Sequence, residues 1–224
     1  MDLLIFDLDG TLIDSRLDLA NAVNAMRGHL GMSRLTNERV YTFVGNGAQV
    51  LVRKSLGEQA TGDQFRQGYA FFMEYYAAHD LDFTALYPGV RTSLDRFRDA
   101  GKRMAVLTNK PTSMSTHIVS GLGVADHFFR VFGGDSFEQK KPHRMGVEAL
   151  MREAGADRAR TMMVGDSAVD VATARNAGIA CCGVTYGFQP ESLTDPAPEL
   201  VVDRMEQFAD WLLKYDVPQS AAKP

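Results

Sequence analysis

Two acidic segments carry the side chains best suited to chemistry. Asp7 and Asp9 follow an apolar run, and Asp166 and Asp170 follow another apolar run much later in the chain. Residues two apart on an extended chain point the same way, and residues four apart on a helix are neighbours. Carboxylates held this close repel each other unless a cation lies between them or one of them is protonated. The pattern therefore predicts a cation site at these four residues.

The residue types around these carboxylates indicate which cation and which ligand the site would take. No cysteine or histidine stands at a metal-ligand spacing, and clustered carboxylates without soft ligands favour Mg²⁺ over zinc. Thr108 and Asn109 follow a third apolar run and offer hydrogen-bond donors, while Lys141 offers a positive charge that could hold a phosphoryl oxygen. A single Asp after a strand is often only a turn residue or a helix cap. All these groups together, each at a strand end, indicate a site for a phosphoryl group.

The elements that must position these residues alternate along the chain. Apolar runs typical of buried parallel strands lie at Leu3–Leu8, Met104–Leu107, Val131–Phe132, Thr161–Val164 and Ala180–Val184. Helical periodicity lies between them, at Val90–Asp99, Ser113–Leu122, Arg144–Ala154 and Val169–Ala177. This alternation predicts an α/β fold with a doubly wound parallel sheet. In such sheets ligands bind beyond the carboxyl ends of the strands, where the polar residues above are found.

One region interrupts the alternation. Residues 16–79 contain no convincing strand, only amphipathic helical segments separated by glycines. Ser15 and Asp18 resemble a weak capping box at the start of this region. We therefore predict an α/β core formed by residues 1–15 and 80–217, an inserted α-helical cap at residues 16–79 and a flexible tail at residues 218–224.

The motifs resemble a known family. FDLDGTLIDS, VLTNK, the lysine of KKP and VGDSAVD look like the four ordered motifs of the haloacid dehalogenase superfamily, and the insertion resembles the helical cap of its C1 subclass. VGNGAQVLV, YPGV at residues 87–90 and TYGF at residues 185–188 are similar to bacterial phosphoglycolate phosphatases. The resemblance implies a Rossmann-like core and hydrolysis of a phosphate ester with Mg²⁺ as cofactor.

The resemblance also implies a role for each site residue. Asp7 would attack phosphorus and form an aspartyl-phosphate. Asp9 would be the general acid and then the general base, and its backbone carbonyl would contact the metal. Asp7 and Asp166 would be the side-chain metal ligands, with Asp170 behind them or bridged by water. Lys141 would neutralise charge on the transferring group, to which Thr108 and Asn109 would also donate.

Selection of the substrate is expected from the cap. Residues Gly45, Asn46 and Gly47 would form a loop that meets the core, and Arg53 or Lys54 just after it could supply charge to a substrate carboxylate. The expected substrate is 2-phosphoglycolate. Two alternatives stay open: a phosphosugar mutase or broad sugar-phosphate phosphatase of the same superfamily, and a non-catalytic phosphate-binding protein.

Composition limits the partners. The chain has 224 residues, of which 45% are hydrophobic, enough to bury a core. Its net charge of −4 argues against nucleic acid or a membrane surface as the main partner. Cys181 and Cys182 are adjacent and are expected to be reduced thiols, and the N-terminus shows no export signal. We therefore expect a cytoplasmic enzyme, monomeric or homodimeric, that acts on a small phosphorylated metabolite.

Overall fold

The computed structural model describes residues 1–195 and 197–215. The strands among them are, in chain order, β1 (Leu3–Phe6), β2 (Ile13–Asp14), β3 (Ala85–Leu86), β4 (Arg103–Leu107), β5 (Arg130–Phe132), β6 (Thr161–Gly165), β7 (Ala180–Val184) and β8 (Leu200–Val202). The α-helices are α1 (Arg16–His29), α2 (Asn37–Tyr41), α3 (Ala48–Leu56), α4 (Gly62–His79), α5 (Val90–Asp99), α6 (Thr112–Gly121), α7 (Met145–Ala154), α8 (Ala168–Ala177) and α9 (Met205–Tyr215).

A six-stranded parallel sheet forms the centre of the fold, in the order β5-β4-β1-β6-β7-β8. β1 pairs with β4 on one side, with Leu3 opposite Arg103, and with β6 on the other side, with Leu3 opposite Thr161. The strand order reverses at β1, so a crevice is expected beyond the carboxyl end of this strand. The prediction of a doubly wound α/β fold is confirmed.

Both faces of the sheet are buried. Phe6 belongs to an apolar cluster with Phe97 of α5 and Phe208 of α9. Ile5 points to the opposite face, where its cluster includes Leu150 of α7. Because successive side chains alternate between faces, a strand covered on both sides must be apolar at every position. This explains why the strands read as continuous apolar runs.

The predicted strands and helices of the core are present, and their boundaries differ from the prediction by at most two residues. β1 ends at Phe6 because the chain turns at the following acidic segment. β2, β3, β8 and α9 are not among the predicted elements. β8 has only three residues and lies at the sheet edge, where Val201 is 48% exposed. A strand this short has too few positions to show a pattern.

The helices of residues 16–79 pack mainly on one another. Their shared cluster includes Val23 of α1, Val52 of α3 and Phe72 of α4, and Met114 of α6 joins it from the core. None of residues 16–79, all of which are described, forms a strand. The division into core and cap at these boundaries remains a prediction. The tail predicted at residues 218–224 lies outside the described residues.

The two connections to these helices lie side by side. β2 and β3 pair antiparallel, with Ile13 opposite Leu86. The buried carboxylate of Asp18 accepts hydrogen bonds from the backbone amides of Phe83 and Thr84 and from the Thr84 hydroxyl. The predicted capping box of Ser15 and Asp18 is wrong: Ser15 makes no side-chain cap, because its hydroxyl donates to Asp9 at 2.5 Å.

Candidate active site

Three strand ends bring the predicted site residues together. Asp7 follows β1, Thr108 follows β4 and Asp166 follows β6, the three adjacent strands at the centre of the sheet. Lys141 reaches the same place from the segment between β5 and α7. All four side chains are buried. The position is the one expected from the reversal of strand order at β1.

The turn after Asp7 depends on Gly10. Its φ is +83°, a left-handed conformation that residues with a Cβ avoid. A Cβ there would also lie 2.3 Å from Oδ2 of Asp166. The turn is closed by the amide of Leu12, which donates to the carbonyl of Leu8 at 2.9 Å. Glycine at this position therefore allows the segments after β1 and β6 to approach each other.

Lys141 is held between two carboxylates. Its Nζ lies 2.8 Å from Oδ1 of Asp7 and 2.7 Å from Oδ1 of Asp170. The other oxygen of Asp170 accepts from the Ser167 hydroxyl at 2.7 Å and from the Ser167 amide at 3.2 Å. Burial lowers the pKa of Lys141, but the two carboxylates outweigh burial and leave the pKa above its ordinary value. Asp170 thus orients Lys141, which stays charged beside Asp7.

Asp7, Asp166 and Asp170 form a carboxylate cluster in which one oxygen from each lies within 4.8 Å of the others. Asp166 is oriented by the amide of Phe188, which donates to Oδ2 at 2.6 Å, and by the Thr11 hydroxyl, which donates to Oδ1 at 3.3 Å. Both oxygens of Asp170 are engaged by Lys141 and Ser167, as described above, and Lys141 also contacts Oδ1 of Asp7. The assignment of Asp7 and Asp166 as the side-chain metal ligands, with Asp170 behind them, remains a prediction.

The electrostatics of this cluster favour a bound cation. Burial raises the pKa of Asp7 to about 6, because the lowering effect of Lys141 is smaller and Asp170 raises the pKa further. Burial, followed by repulsion from Asp170 and Asp7, raises the pKa of Asp166 to about 8. A divalent cation would remove this penalty on the ionised forms, and an all-oxygen donor set suits Mg²⁺. The residues present fit a magnesium ion.

The carboxylate of Asp9 has different partners. Its Oδ1 accepts from the Ser15 hydroxyl at 2.5 Å, and Nζ of Lys110 lies 3.1 Å from Oδ1 and 3.2 Å from Oδ2. Lys110 also donates to the hydroxyl of Tyr76 at 2.7 Å. The Asp9 carboxylate is not one of the three in the carboxylate cluster and lines a cavity between the core and the helices of residues 16–79. The role of Asp9 as general acid and base remains a prediction.

The cavity has an empty volume of about 490 Å³, including the solvent at its mouth. The residues that line it come from the strand ends and from α1, α3, α4, α6 and the loop before α3: Asp7, Asp9, Leu19, Val44, Gly45, Gly47, Ala48, Leu51, Phe72, Tyr76, Thr108, Asn109, Lys110, Pro111 and Met114. The lining therefore combines charged and polar groups from the strand ends with apolar groups from the helices.

The loop at residues 45–47 meets the core. Asn109 Nδ2 donates to the carbonyls of Gly45 and Lys141, both at 3.2 Å, and Lys140 Nζ donates to the carbonyl of Asn46 at 2.7 Å. A Cβ on Gly47 would lie 2.9 Å from the Asn109 carbonyl oxygen. The amide hydrogens of the Asn109 side chain are thus engaged with the protein itself. Asn109 positions the loop, while its assignment to substrate binding remains a prediction.

Arg53 and Lys54 are not brought to this cavity. The Arg53 guanidinium lies 4.2 Å from the ring centroid of Phe65, and Lys54 Nζ lies 6.0 Å from that of Phe43. Both line a separate surface pocket, whereas the face of α3 that carries Leu51 lines the cavity at Asp7. Proximity in sequence to residues 45–47 does not place these cations at the site, because a helix distributes consecutive side chains around its axis.

The sequence analysis assigned no role to Lys110, Tyr76 or Phe188. Lys110 stands at a strand end, which was a usable signal. Tyr76 has the helical spacing that is typical of an apolar core residue, and the amide of Phe188 carries no signal in its residue type. Burial raises the pKa of Tyr76, so its hydroxyl stays protonated, and the pKa of Lys110 is raised by Asp9 and Tyr76 against the effect of burial.

Comparisons with known proteins identify the family of this chain. Residues 4–184 match the family model described as haloacid dehalogenase-like hydrolase. Proteins named phosphoglycolate phosphatase from Chromobacterium violaceum and Pseudomonas putida are 41% and 42% identical, over 84% and 90% of this chain and 86% and 76% of theirs. A crystal structure of a predicted phosphoglycolate phosphatase from Haemophilus somnus superposes with a TM-score of 0.88 at 31% identity, covering 96% of this chain and 98% of that one. The chain therefore belongs to the haloacid dehalogenase-like hydrolase family, and it is a phosphatase.

Proposed function

We propose that this phosphatase hydrolyses 2-phosphoglycolate to glycolate and phosphate through an aspartyl-phosphate on Asp7. The observation that carries the proposal is the pairing of Asp7 with the charged Lys141 beside a cavity that Asp7 and Asp9 both line. The names of the relatives from Chromobacterium violaceum and Pseudomonas putida support this substrate.

The first step is attack on phosphorus. An oxygen of Asp7 forms a bond to phosphorus as the bond to the ester oxygen breaks, and no base is needed because the nucleophile is a carboxylate. Lys141 holds Asp7 ionised and attracts the oxygens of the transferring group. Mg²⁺, when bound by Asp7, Asp166 and the backbone carbonyl of Asp9, would supply further charge neutralisation. Thr108 lines the same cavity and can donate its hydroxyl to a phosphoryl oxygen.

Asp9 handles the protons in both steps. In its acid form it gives a proton to the leaving ester oxygen, and as a carboxylate it then takes a proton from the water that cleaves the aspartyl-phosphate. The Ser15 hydroxyl holds its Oδ1 at 2.5 Å, which fixes the direction of the other oxygen. The helices of residues 16–79 cover this side of the cavity and limit access of water.

A kinetic panel tests the substrate. We expect 2-phosphoglycolate to have a higher kcat/KM than hexose phosphates or nucleoside monophosphates, because the helices of residues 16–79 cover the cavity and favour a substrate with a small group beyond the ester oxygen. Released phosphate is measured for each compound, and sugar products are checked for phosphate on a second hydroxyl. A hexose phosphate that outperforms phosphoglycolate would indicate a broad sugar phosphatase. Phosphate moved to a second hydroxyl would indicate a mutase instead.

Gly187→Ala is expected to weaken Mg²⁺ binding and to lower kcat/KM by about 10- to 100-fold, as loss of a group that orients a metal ligand does. A Cβ on Gly187 would lie 2.2 Å from Cβ of Asp166 and 2.4 Å from the Gly10 carbonyl, so Asp166 must move. Activity is measured as a function of Mg²⁺ concentration. Gly28→Ala is the matched control, because nothing lies within 4 Å of that Cβ. Unchanged Mg²⁺ dependence in Gly187→Ala would contradict the role of Asp166.

The location and assembly of the enzyme also remain proposals. Cys181 and Cys182 are free and buried, and burial raises the pKa of both thiols, as expected for unreactive cysteines of a cytoplasmic protein. No helix among the described residues is both long and apolar enough to cross a membrane. We propose that the enzyme works in the cytoplasm as a monomer or homodimer.

A further inference from the structure

Lys110 is a buried cation that the steps above do not use. It follows β4 by three residues, and only 4% of its side chain is exposed. Its Nζ contacts both oxygens of Asp9, donates to the hydroxyl of Tyr76 and lies 4.5 Å from the centroid of that ring. Lys110 therefore joins the Asp9 carboxylate to Tyr76 of helix α4.

The cavity requires a cation at this place if the substrate carries a second negative charge. Lys110 is the only positively charged side chain among the described residues that line the cavity, which also contains the carboxylates of Asp7 and Asp9. The remaining lining includes Leu19, Phe72 and other apolar groups. A carboxylate placed among them without a cationic partner would be strongly disfavoured. A substrate carboxylate is thus expected to lie beside Lys110.

Distances support this placement. In phosphoglycolate the ester oxygen and the nearer carboxylate oxygen are three covalent bonds apart, about 3 Å when they lie on the same side. Asp9, as the acid, would be about 2.7 Å from the ester oxygen, and Lys110 about 2.8 Å from a carboxylate oxygen. The observed separation of Lys110 Nζ from the Asp9 oxygens is 3.1 and 3.2 Å. Because these four distances are similar, one phosphoglycolate can place its ester oxygen at Asp9 and a carboxylate oxygen at Lys110 at the same time.

Tyr76 can add a second donor. An ammonium group has no lone pair, so Lys110 must be the donor in its contact with the Tyr76 hydroxyl. The hydroxyl proton can therefore be directed to another acceptor. The Tyr76 ring stacks on Phe72, with centroids 5.7 Å apart, which fixes its position in α4. A substrate carboxylate between Lys110 and Tyr76 would contact the core and the helices of residues 16–79 together.

We propose that Lys110, assisted by the Tyr76 hydroxyl, binds the carboxylate of the substrate and makes the site selective for phosphate esters that carry a carboxylate on the carbon next to the ester oxygen. This inference rests on the proposed function and names the residues that select its substrate. It replaces Arg53 and Lys54, which lie outside the cavity.

The test compares 2-phosphoglycolate with 2-phosphoglycolamide, which has the same size and no negative charge on the amide. Wild type should prefer phosphoglycolate, and Lys110→Met should reduce this preference by about 10- to 100-fold, the usual effect of losing a hydrogen bond to a charged group. Lys110→Arg should retain part of the preference. Lys214→Met, at an exposed lysine of α9, is the control for a change of charge alone and should keep the wild-type ratio.

The outcomes separate the two proposals. If wild type does not prefer phosphoglycolate to the amide, the proposed substrate fails. If wild type shows the preference and Lys110→Met lowers kcat/KM equally for both compounds, Lys110 only supports Asp9, and this inference fails while the proposed function stands. If Lys110→Met does not fold, Tyr76→Phe decides, because it keeps the cation. The ratio for Tyr76→Phe should then fall by about 3- to 10-fold, and an unchanged ratio would overturn the inference.

Discussion

Asp7→Asn is expected to reduce kcat by about 10⁴-fold or more, because the amide cannot form the covalent intermediate that the carboxylate forms. Hydrolysis of phosphoglycolate is measured under saturating Mg²⁺. Rapid acid quench with labelled substrate should give a phosphorylated protein for wild type and none for the variant. Retention of more than about a hundredth of the wild-type kcat would exclude Asp7 as the nucleophile.

The fold of this variant should remain intact. Asparagine has the same shape as aspartate. It also removes a buried carboxylate whose charged form is already disfavoured, because burial raises the pKa of Asp7. The melting temperature without metal is therefore expected to equal or exceed that of wild type. Asp63→Asn is the matched control, because Asp63 is exposed at the start of α4, and it should keep full activity. If Asp7→Asn is much less stable than wild type, unfolding alone could account for its loss of turnover. The acid-quench experiment then decides whether wild type forms a phosphorylated protein.

Removal of metal is expected to abolish turnover. Asp7, Asp166 and Asp170 lie together, and the ion that fits them would also neutralise the transferring phosphoryl group. Activity is measured in excess EDTA with metal content determined in parallel, and Mg²⁺ is then added back in excess of the chelator to restore the rate. Full activity in protein shown to contain no metal would refute the requirement.

The stabilisation by Mg²⁺ should grow with pH. The pKa of Asp7 is raised from 3.8 to about 6 and that of Asp166 from 3.8 to about 8. Between pH 3.8 and about pH 8 the metal-free folded state therefore binds more protons than the unfolded state. The contribution of these groups to stability is fully present below about pH 4 and is lost as the pH rises through about 8. Mg²⁺ favours the ionised carboxylates and reverses this loss.

Thermal melting with and without Mg²⁺ checks this dependence. The increase in melting temperature on adding Mg²⁺ should be larger at about pH 9 than at about pH 5, where bound protons compete with the metal. Asp166→Asn should show a smaller difference between the two pH values, because it removes the group with the higher pKa. An increase that is equal at both pH values, or larger at the lower one, would contradict the assignment of these carboxylates as the metal site.

Sequence patterns alone predict the fold class and three members of the carboxylate cluster, but not that the Asp9 carboxylate lies outside it. Strands buried on both faces must be apolar throughout, so β1 and β6 were visible as runs, and the polar residue after each run marked the strand end. Parallel strands place their carboxyl ends at one edge of the sheet, which is sufficient to bring Asp7, Thr108 and Asp166 together. These inferences depend on local pattern and on a general rule of topology.

Which side chains of the helices face the site can be determined only from the packing of the helices against the core. The direction of Arg53 and the pairing of Lys110 with Tyr76 depend on how α3 and α4 pack against the core, and residues 34 positions apart make that pairing. The engagement of Asp170 by Lys141 depends in the same way on a contact across 29 positions. Such contacts are set by the orientation of whole elements, which side-chain packing determines and residue type at one position does not record.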